Sequence, residues 1–388
     1  MKLLFITHSL NFVYGAARSL HLLLKSIPDH YDVMFQKRIL KQYSIEEVRE
    51  FVGPKCDSVF FCDLPTDYSM MEYKIWNKTN SIFQNVKEVG SVIKRTFLYL
   101  INRNQIMQII KAGNYDCIHV NSSVMYPLLS DKFYMTIHIR ELLPLRISHF
   151  AKKRFKKAKA LICIEEVVKR HLINCCHGIN ESLIHVISNP FDMSSVNSID
   201  VDSVLKKYKL MKSSTIFTIA GSITNQKGVD FVIDSFIESN CVDKVLLVVG
   251  DENTKFCSIL KNKCHDYPSI RFLGEQPNMN DIYAISDYVV RGEAEFCTGR
   301  TVYEALFSGC SVILPGIDSN IGDGIFLPDQ IDRVCFYLPR DNKALSYLFS
   351  TLVKSKKKGF VSSNTKDYYM AFYQSILGKC NDCYVRIK

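Results

Sequence analysis

Two successive series of short, almost wholly apolar runs constrain this chain more than any other feature of its sequence. The first series is Leu3–Thr7, Asp32–Phe35, Cys117–Val120, Met135–His138, Leu161–Ile164 and His185–Ile187. The second is Ile216–Ala220, Val245–Val249, Ile270–Leu273, Tyr288–Val290 and Ser311–Leu314. Helical periodicity fills the gaps, as over Ala17–Ile27, Glu166–Asn174, Gly228–Asn240, Met279–Ala284 and Val302–Ser308. A strand that is apolar on both faces must be covered on both. Helix-separated strands of this kind therefore predict the α/β class, with parallel sheets.

The two series part at Ser188–Ser198 (SNPFDMSSVNS), a run of turn formers that reads as an interdomain linker. The expectation is two doubly wound domains facing across a cleft, residues 1–190 and 191–365. Residues 366–388, beginning KDYYMAFYQSIL, are expected to form a C-terminal helix packing back toward the first domain. In such sheets, ligands sit outside the carboxyl ends of the strands.

Composition closes off several alternatives. Lys and Arg number 49 against 39 Asp and Glu, a formal +10 that hints at an anionic partner without identifying it. The basic residues are not interleaved with an aromatic stacking platform, so nucleic acid is not expected. No apolar run approaches the roughly 18–20 residues of a membrane-spanning helix. The opening MKLLFITHSL holds too short an apolar stretch for a signal-peptide core and reads as the first strand of a cytoplasmic protein. The 14 cysteines are scattered through apolar contexts such as FFCDL and LICIE, which suits buried free thiols. Cys380 and Cys383 form a CxxC without a second pair, so no metal is expected.

Residues 40–111 depart from the alternation. A helical pattern runs from about Gln84 to Ile110, with Val86, Val89, Ile93, Phe97 and Leu100 at helical spacing. It carries Lys87, Lys94, Arg95, Arg103 and Lys111 against one acid, Glu88. Two readings stand. One is a core-packed helix with a solvated basic face; the other is a face that docks on anionic lipid or lipid-linked phosphate, on the inner surface of a membrane. A second cluster, Lys152–Lys159, has six positive residues in eight.

The strongest local signal is Ile216–Gly228 (IFTIAGSITNQKG), where a strand ends at a glycine and Lys227-Gly228 opens the next helix. Backbone N–H groups at a helix start, with a lysine beside them, suit a diphosphate. In Asp287–Gly309 a strand leads through a polar loop to a helix starting near Thr301, with Glu304 in its first turn. A carboxylate there suits a ribose diol, though a helix-capping role is the plainer reading. In the first half, Tyr14–Arg18 (YGAAR) opens a helix, and His138 stands at a strand end beside Arg140-Glu141. His119 reads as a core residue.

Taken in order, Tyr14–Leu20, Tyr115–Ser122, Thr136–Glu141, Leu161–Leu172, His185–Asp192, Ala220–Phe236, Leu246–Asp251 and Ile270–Pro315 resemble the family 4 retaining glycosyltransferases. The resemblance implies the GT-B fold of two Rossmann-like domains. It implies a nucleotide-sugar donor held by the second domain and a saccharide or lipid-linked saccharide acceptor held by the first. It implies no metal or other cofactor. Family members often hold the diphosphate with an Arg and a Lys five residues apart; here Ser222 stands for the Arg and Lys227 keeps its place. Gly221 and Arg300 would assist. The family's E-x7-E element ends at Glu304, which implies a ribose contact. Phe296 occupies its first position, and Glu295 lies one residue early. Either the loop has a one-residue bulge there, or Phe296, Cys297, Thr298 and Gly299 grip the sugar mainly through backbone N–H groups; Thr301 would lie with them at the donor. His138 matches the family histidine near the donor sugar, and Gly15 matches the glycine loop near the same phosphate. Transfer with retention, in polysaccharide biosynthesis, is the implied activity. The rivals are a nucleotide-sugar epimerase or hydrolase, and a nucleotide-sugar-binding protein of the same fold without transferase activity.

Overall fold

The structure, a computed structural model, describes residues 2–12, 15–66, 82–143, 147–187, 189, 199–296, 299–317 and 331–354. These fall into two compact units, one running to residue 191 and one from 192 to 363. The segments expected to form the linker and the C-terminal helix, and the Cys380/Cys383 pair, lie outside the described residues, apart from Asn189.

The first unit runs β1 (Leu3–Thr7), α1 (Gly15–Ser26), β2 (Tyr31–Gln36), α2 (Ile45–Val52), β3 (Cys56–Cys62), α3 (Ile82–Gly113) and β4 (Cys117–Val120). It continues through β5 (Met135–Ile139), α4 (His149–Phe155), β6 (Ala160–Cys163), α5 (Glu166–Cys175) and β7 (Ile184–Val186). Its sheet is ordered β3-β2-β1-β4-β5-β6-β7, with every pairing parallel. Because side chains alternate across a strand, Leu4 and Ile6 of β1 join the core on one face while Leu3 and Phe5 join the core on the other. Each such fully buried side chain contributes about 1.5–3 kcal/mol of hydrophobic stabilisation. This double burial is why the strands read as continuous apolar runs.

Helix α3 divides between its two sequence readings. Its last turns are core-packed through Tyr99, Ile106 and Ile110. Of the stripe at helical spacing, Val86 is 57% exposed, Ile93 and Phe97 63% and Leu100 55%, whereas Val89 is half-buried. Fully burying a side chain of this kind is worth about 1.5–3 kcal/mol, so an open stripe of them is a feature that requires explanation.

The second unit runs α6 (Val201–Lys207), β8 (Thr215–Ala220), α7 (Val229–Glu238), β9 (Lys244–Val249), α8 (Lys255–Lys263) and β10 (Ile270–Gly274). It continues through α9 (Met279–Ile285), β11 (Tyr288–Val290), α10 (Gly299–Phe307), β12 (Ser311–Pro315), β13 (Val334–Tyr337) and a last helix, α11 (Asn342–Thr351). The sheet order is β10-β9-β8-β11-β12-β13, again all parallel. Phe217, Ile219, Leu246 and Val248 pack on one face, and Ile216, Val245, Leu247 and Val249 on the other.

In both sheets the strand order reverses at one place, between β1 and β4 in the first unit and between β8 and β11 in the second. Chains leaving the carboxyl ends of the two central strands diverge there, and an open crevice is left. The candidate residues lie at these two points.

Candidate functional site

In the second unit, β8 and β11 are tied by side chains as well as by the ladder. Asp287 accepts from the backbone N–H of Ile216 at 2.9 Å, and Thr218 and Ser286 share a hydrogen bond of 2.7 Å. Gly221, exposed with φ +130°, begins the loop after β8; a Cβ there would meet nothing within 4 Å. Ser222 is exposed beside it. Lys227 does not open a helix, as the sequence suggested. It closes a 3-10 turn over Asn225–Lys227 whose N-cap is Thr224, and Gly228 then takes a left-handed conformation (φ +64°) before α7. Gly228 has a second constraint: a Cβ there would lie 1.7 Å from the carbonyl oxygen of Gly292. The two loops of the crevice thus meet backbone to backbone, which only glycine permits.

The crevice between them is lined by Gly221, Ser222, Lys227, Arg291 and Glu293 over an apolar floor. Arg291, at the end of β11, is 6% exposed. Its guanidinium is bidentate on Glu293, with Nε 3.1 Å from Oε2 and Nη2 on Oε1, and its Nη1 donates to Thr301 Oγ1 at 2.6 Å. Tyr337 donates to the Arg291 carbonyl at 2.6 Å. Lys227 Nζ lies 3.2 Å from Glu293 Oε1. One carboxylate thus serves two cations, and the group carries a net +1 at the carboxyl end of the sheet. Sequence reasoning missed Arg291 and Glu293. The available signal was a charged residue directly ending the apolar run Tyr288–Val290.

Helix α10 begins at Gly299 (φ +65°), not near Thr301, so Glu304 falls in its second turn, not its first. Both its carboxylate oxygens have partners. Oε1 accepts from Arg300 Nε at 2.6 Å and Oε2 from the Tyr283 hydroxyl at 2.9 Å. Burial, with the Glu304 carboxylate second, raises the Tyr283 pKa far above its ordinary value and keeps it a donor. Arg300, expected at the diphosphate, is thus paired with Glu304. Glu295 is exposed, whereas Phe296 packs against the core edge near Phe336, its ring centroid 6.2 Å away. Cys297 and Thr298 lie outside the described residues.

At the reversal point of the first unit, Asn121 follows β4 and is pinned to β1 by its backbone N–H on the carbonyl of Ile6 at 2.9 Å. His138, on β5, is fully buried, and its ring meets that of His119 edge-on at 5.5 Å. Desolvation, then the nearby Arg140 charge, lowers both imidazoles, His119 to about 3 and His138 well below its ordinary value. Arg140 is held by the Asn121 carbonyl at 3.3 Å, by Asn121 Oδ1 at 2.7 Å and by Asn189 Oδ1. Glu141 is exposed and accepts from Ser123 Oγ at 3.1 Å. His8 Nδ1 is buried without a hydrogen-bond partner. Gly15 is exposed at the first position of α1.

Among the described residues, no group of three or more His, Cys, Asp or Glu is placed to hold a metal ion. No helix among them is long and apolar enough to cross a membrane.

Comparison with known proteins agrees with this architecture. Residues 46–195 match the model of Glycosyltransferase Family 4. The chain is 28% identical over 161 residues to an N-acetyl-alpha-D-glucosaminyl L-malate synthase of Bacillus anthracis, covering 40% of this chain and 41% of that one. It is 30% identical over 114 residues to a processive diacylglycerol beta-glucosyltransferase of Staphylococcus epidermidis, covering 29% of each. The matched stretches thus span less than half the length of these curated relatives. The structure of Anabaena HepE in complex with UDP and glucose superposes over 100% of both chains with a TM-score of 0.62 at 16% identity. The fold is therefore that of the GT-B glycosyltransferases, two Rossmann-like units each with a parallel sheet, and the motif resemblance to family 4 is matched by an independent family model.

Proposed function

We propose that this GT-B chain moves a sugar from a nucleotide-sugar donor to a hydroxyl of a saccharide or lipid-linked saccharide, with retention of anomeric configuration. The observation that carries this reading is the crevice at the β8/β11 reversal, where exposed Gly221 and Ser222 and the cations Lys227 and Arg291 converge. Breaking a sugar–phosphate bond puts negative charge on the departing diphosphate. Fixed cations and loop amides placed there in advance stabilise that charge as it develops. Glu304, held by Arg300 and Tyr283, supplies oriented lone pairs for a ribose diol one helical turn from the Gly299 start of α10. Similarity to a protein crystallised with UDP and glucose supports a nucleotide-sugar as donor. No metal is required in this scheme, because side-chain cations and amides do the neutralising.

We place the enzyme in the cytoplasm at an anionic membrane surface, with a role in polysaccharide biosynthesis. The exposed stripe of α3, Val86, Ile93, Phe97 and Leu100, with Lys87 and Lys94 also exposed, supports this reading. Apolar side chains enter the headgroup boundary while lysines meet the lipid phosphates.

One observation favours a rival, a nucleotide-sugar binder without transfer activity. Glu293 already neutralises part of the charge that transfer chemistry would use. A thermal-shift panel of UDP, GDP, ADP and CMP, each free and as its sugar conjugate, followed by label transfer from the responding donor to a membrane-lipid extract, decides between them. A shift with transfer supports the enzyme; a shift without transfer supports the binder; no shift overturns both.

A further inference from the structure

Glu293 lies between the two cations of the β8/β11 crevice and is shared by both. Its Oε1 is 3.2 Å from Lys227 Nζ, and both its oxygens are held by the Arg291 guanidinium. Its side chain is 12% exposed and lines the crevice together with theirs. Tyr337 on β13 faces it as well; burial, then the Glu293 charge, raises that phenol above its ordinary value, so it adds no charge of its own. A carboxylate in this position weakens the hold of both cations on an anion. It does so in proportion to the charge that the anion carries.

Sugar transfer changes that charge. In a nucleotide-sugar the terminal phosphate is esterified, and the diphosphate carries two negative charges. When the C1–O bond breaks, its electron pair stays on the terminal phosphate oxygen, while the acceptor oxygen bonds to C1 and releases its proton. The terminal phosphate so freed titrates near pH 6, by analogy with other phosphate monoesters, so above about pH 6 the product carries three charges. We propose that Glu293 is a specificity-determining residue that lowers affinity for the triply charged product more than for the doubly charged donor, and so favours exchange of product for fresh donor. This deepens the transferase reading and rests on it. Arg291 keeps the carboxylate in place: its side chain is 7% exposed and it also donates to Thr301 Oγ1 at 2.6 Å. Lys227, with 43% of its side chain exposed, is free to turn from carboxylate to phosphate, which leaves the Glu293 charge facing the ligand.

The test uses the full chain, with UDP, GDP and ADP as probes, each free and as its glucose conjugate. Calorimetric titration at pH 5.5 and pH 8.5 compares wild type with Glu293→Gln for the pair that binds. At pH 8.5 the variant is expected to bind the free nucleotide about three- to tenfold more tightly, and the conjugate with at most about half that gain. At pH 5.5, where the free nucleotide is mostly doubly charged too, the two gains are expected to converge. In wild type, raising the pH from 5.5 to 8.5 should raise affinity for the free nucleotide relative to its conjugate by less than about threefold. Equal gains at pH 8.5, or a larger gain for the conjugate, overturn the proposal and leave the donor reading standing. So does a larger rise in the wild-type ratio, a result that is decisive should the variant fail to fold. Binding of none of the probes by either protein overturns the donor reading, and the proposal with it.

Discussion

Lys227 Nζ sits 3.2 Å from Glu293 Oε1, so the lysine we propose for the donor phosphate already has a counter-ion. The same carboxylate holds Arg291, whose side chain is 7% exposed against 43% for Lys227. The two contacts differ accordingly. The outer one is solvent-screened and readily exchanged for a phosphate, whereas the inner one is built into the unit.

Glu293→Gln removes a negative charge from the crevice while keeping an acceptor for Arg291. We expect nucleoside diphosphate to bind about three- to tenfold more tightly, from the lost repulsion. Unfolding stability should fall by about 1–3 kcal/mol, because a buried guanidinium loses its bidentate partner. Calorimetric titration and urea denaturation measure the two; weaker binding in this variant would mean that Glu293 contacts the ligand productively.

Glu304→Ala leaves both Arg300 and the buried Tyr283 hydroxyl without their acceptor. The cost is expected at about 2–3 kcal/mol of stability, with nucleotide binding weakened tenfold or more. Tyr283→Phe separates these effects. It should lose about 1 kcal/mol and leave binding within about twofold, since Arg300 still orients the carboxylate.

The fold and the site were not equally legible in the sequence. Strands covered on both faces, such as β1, β4 and β11, announce themselves as apolar runs, and their observed bounds coincide with the expected ones. The strands that escaped were β3 and β13, which end their sheets and are only half-buried, so Cys56–Cys62 carries Asp57 and Ser58 within it. Lys227 and Glu304 were legible as candidates because loop position and residue type both pointed to a ligand. Their partners were not, because Glu293 and Tyr283 are recruited by folding, from positions 66 and 21 residues away in the chain. The long basic helix was legible as a helix, but hydrophobic periodicity cannot say whether a stripe is covered.

Stability should depend on pH through His119 and His138. Their folded pKa values are depressed below 6.5, so between 6.5 and the folded value the unfolded chain binds more protons than the native one. Stability is then fully present above about pH 6.5 and lost as pH falls, by about 1.4 kcal/mol per pH unit for each buried imidazole. We expect a loss of about 2 kcal/mol by pH 5 from His119, with His138 acting in the same direction, and a shallower profile in His119→Asn. A wild-type profile flat from pH 7 to 5 would show that these rings protonate at no cost.

For the membrane reading, flotation with vesicles of anionic and of neutral lipid compares wild type with Ile93→Ser/Phe97→Ser. Wild type is expected to float with anionic vesicles only, and the double variant to remain in the soluble fraction at unchanged thermal stability, because both side chains are 63% exposed. Equal partitioning of wild type to both lipids, or to neither, would leave the stripe without this role.

The central claim is that the β8/β11 crevice binds the donor diphosphate, and 31P NMR titration of the responding nucleoside diphosphate tests it most directly. Wild type should shift or broaden both phosphorus resonances at stoichiometric protein. Lys227→Ala should require at least about tenfold more protein for the same effect while remaining folded, since an exposed ion pair contributes about 1 kcal/mol or less to stability. Unperturbed phosphorus signals with wild type, or equal perturbation by the variant, would contradict the account.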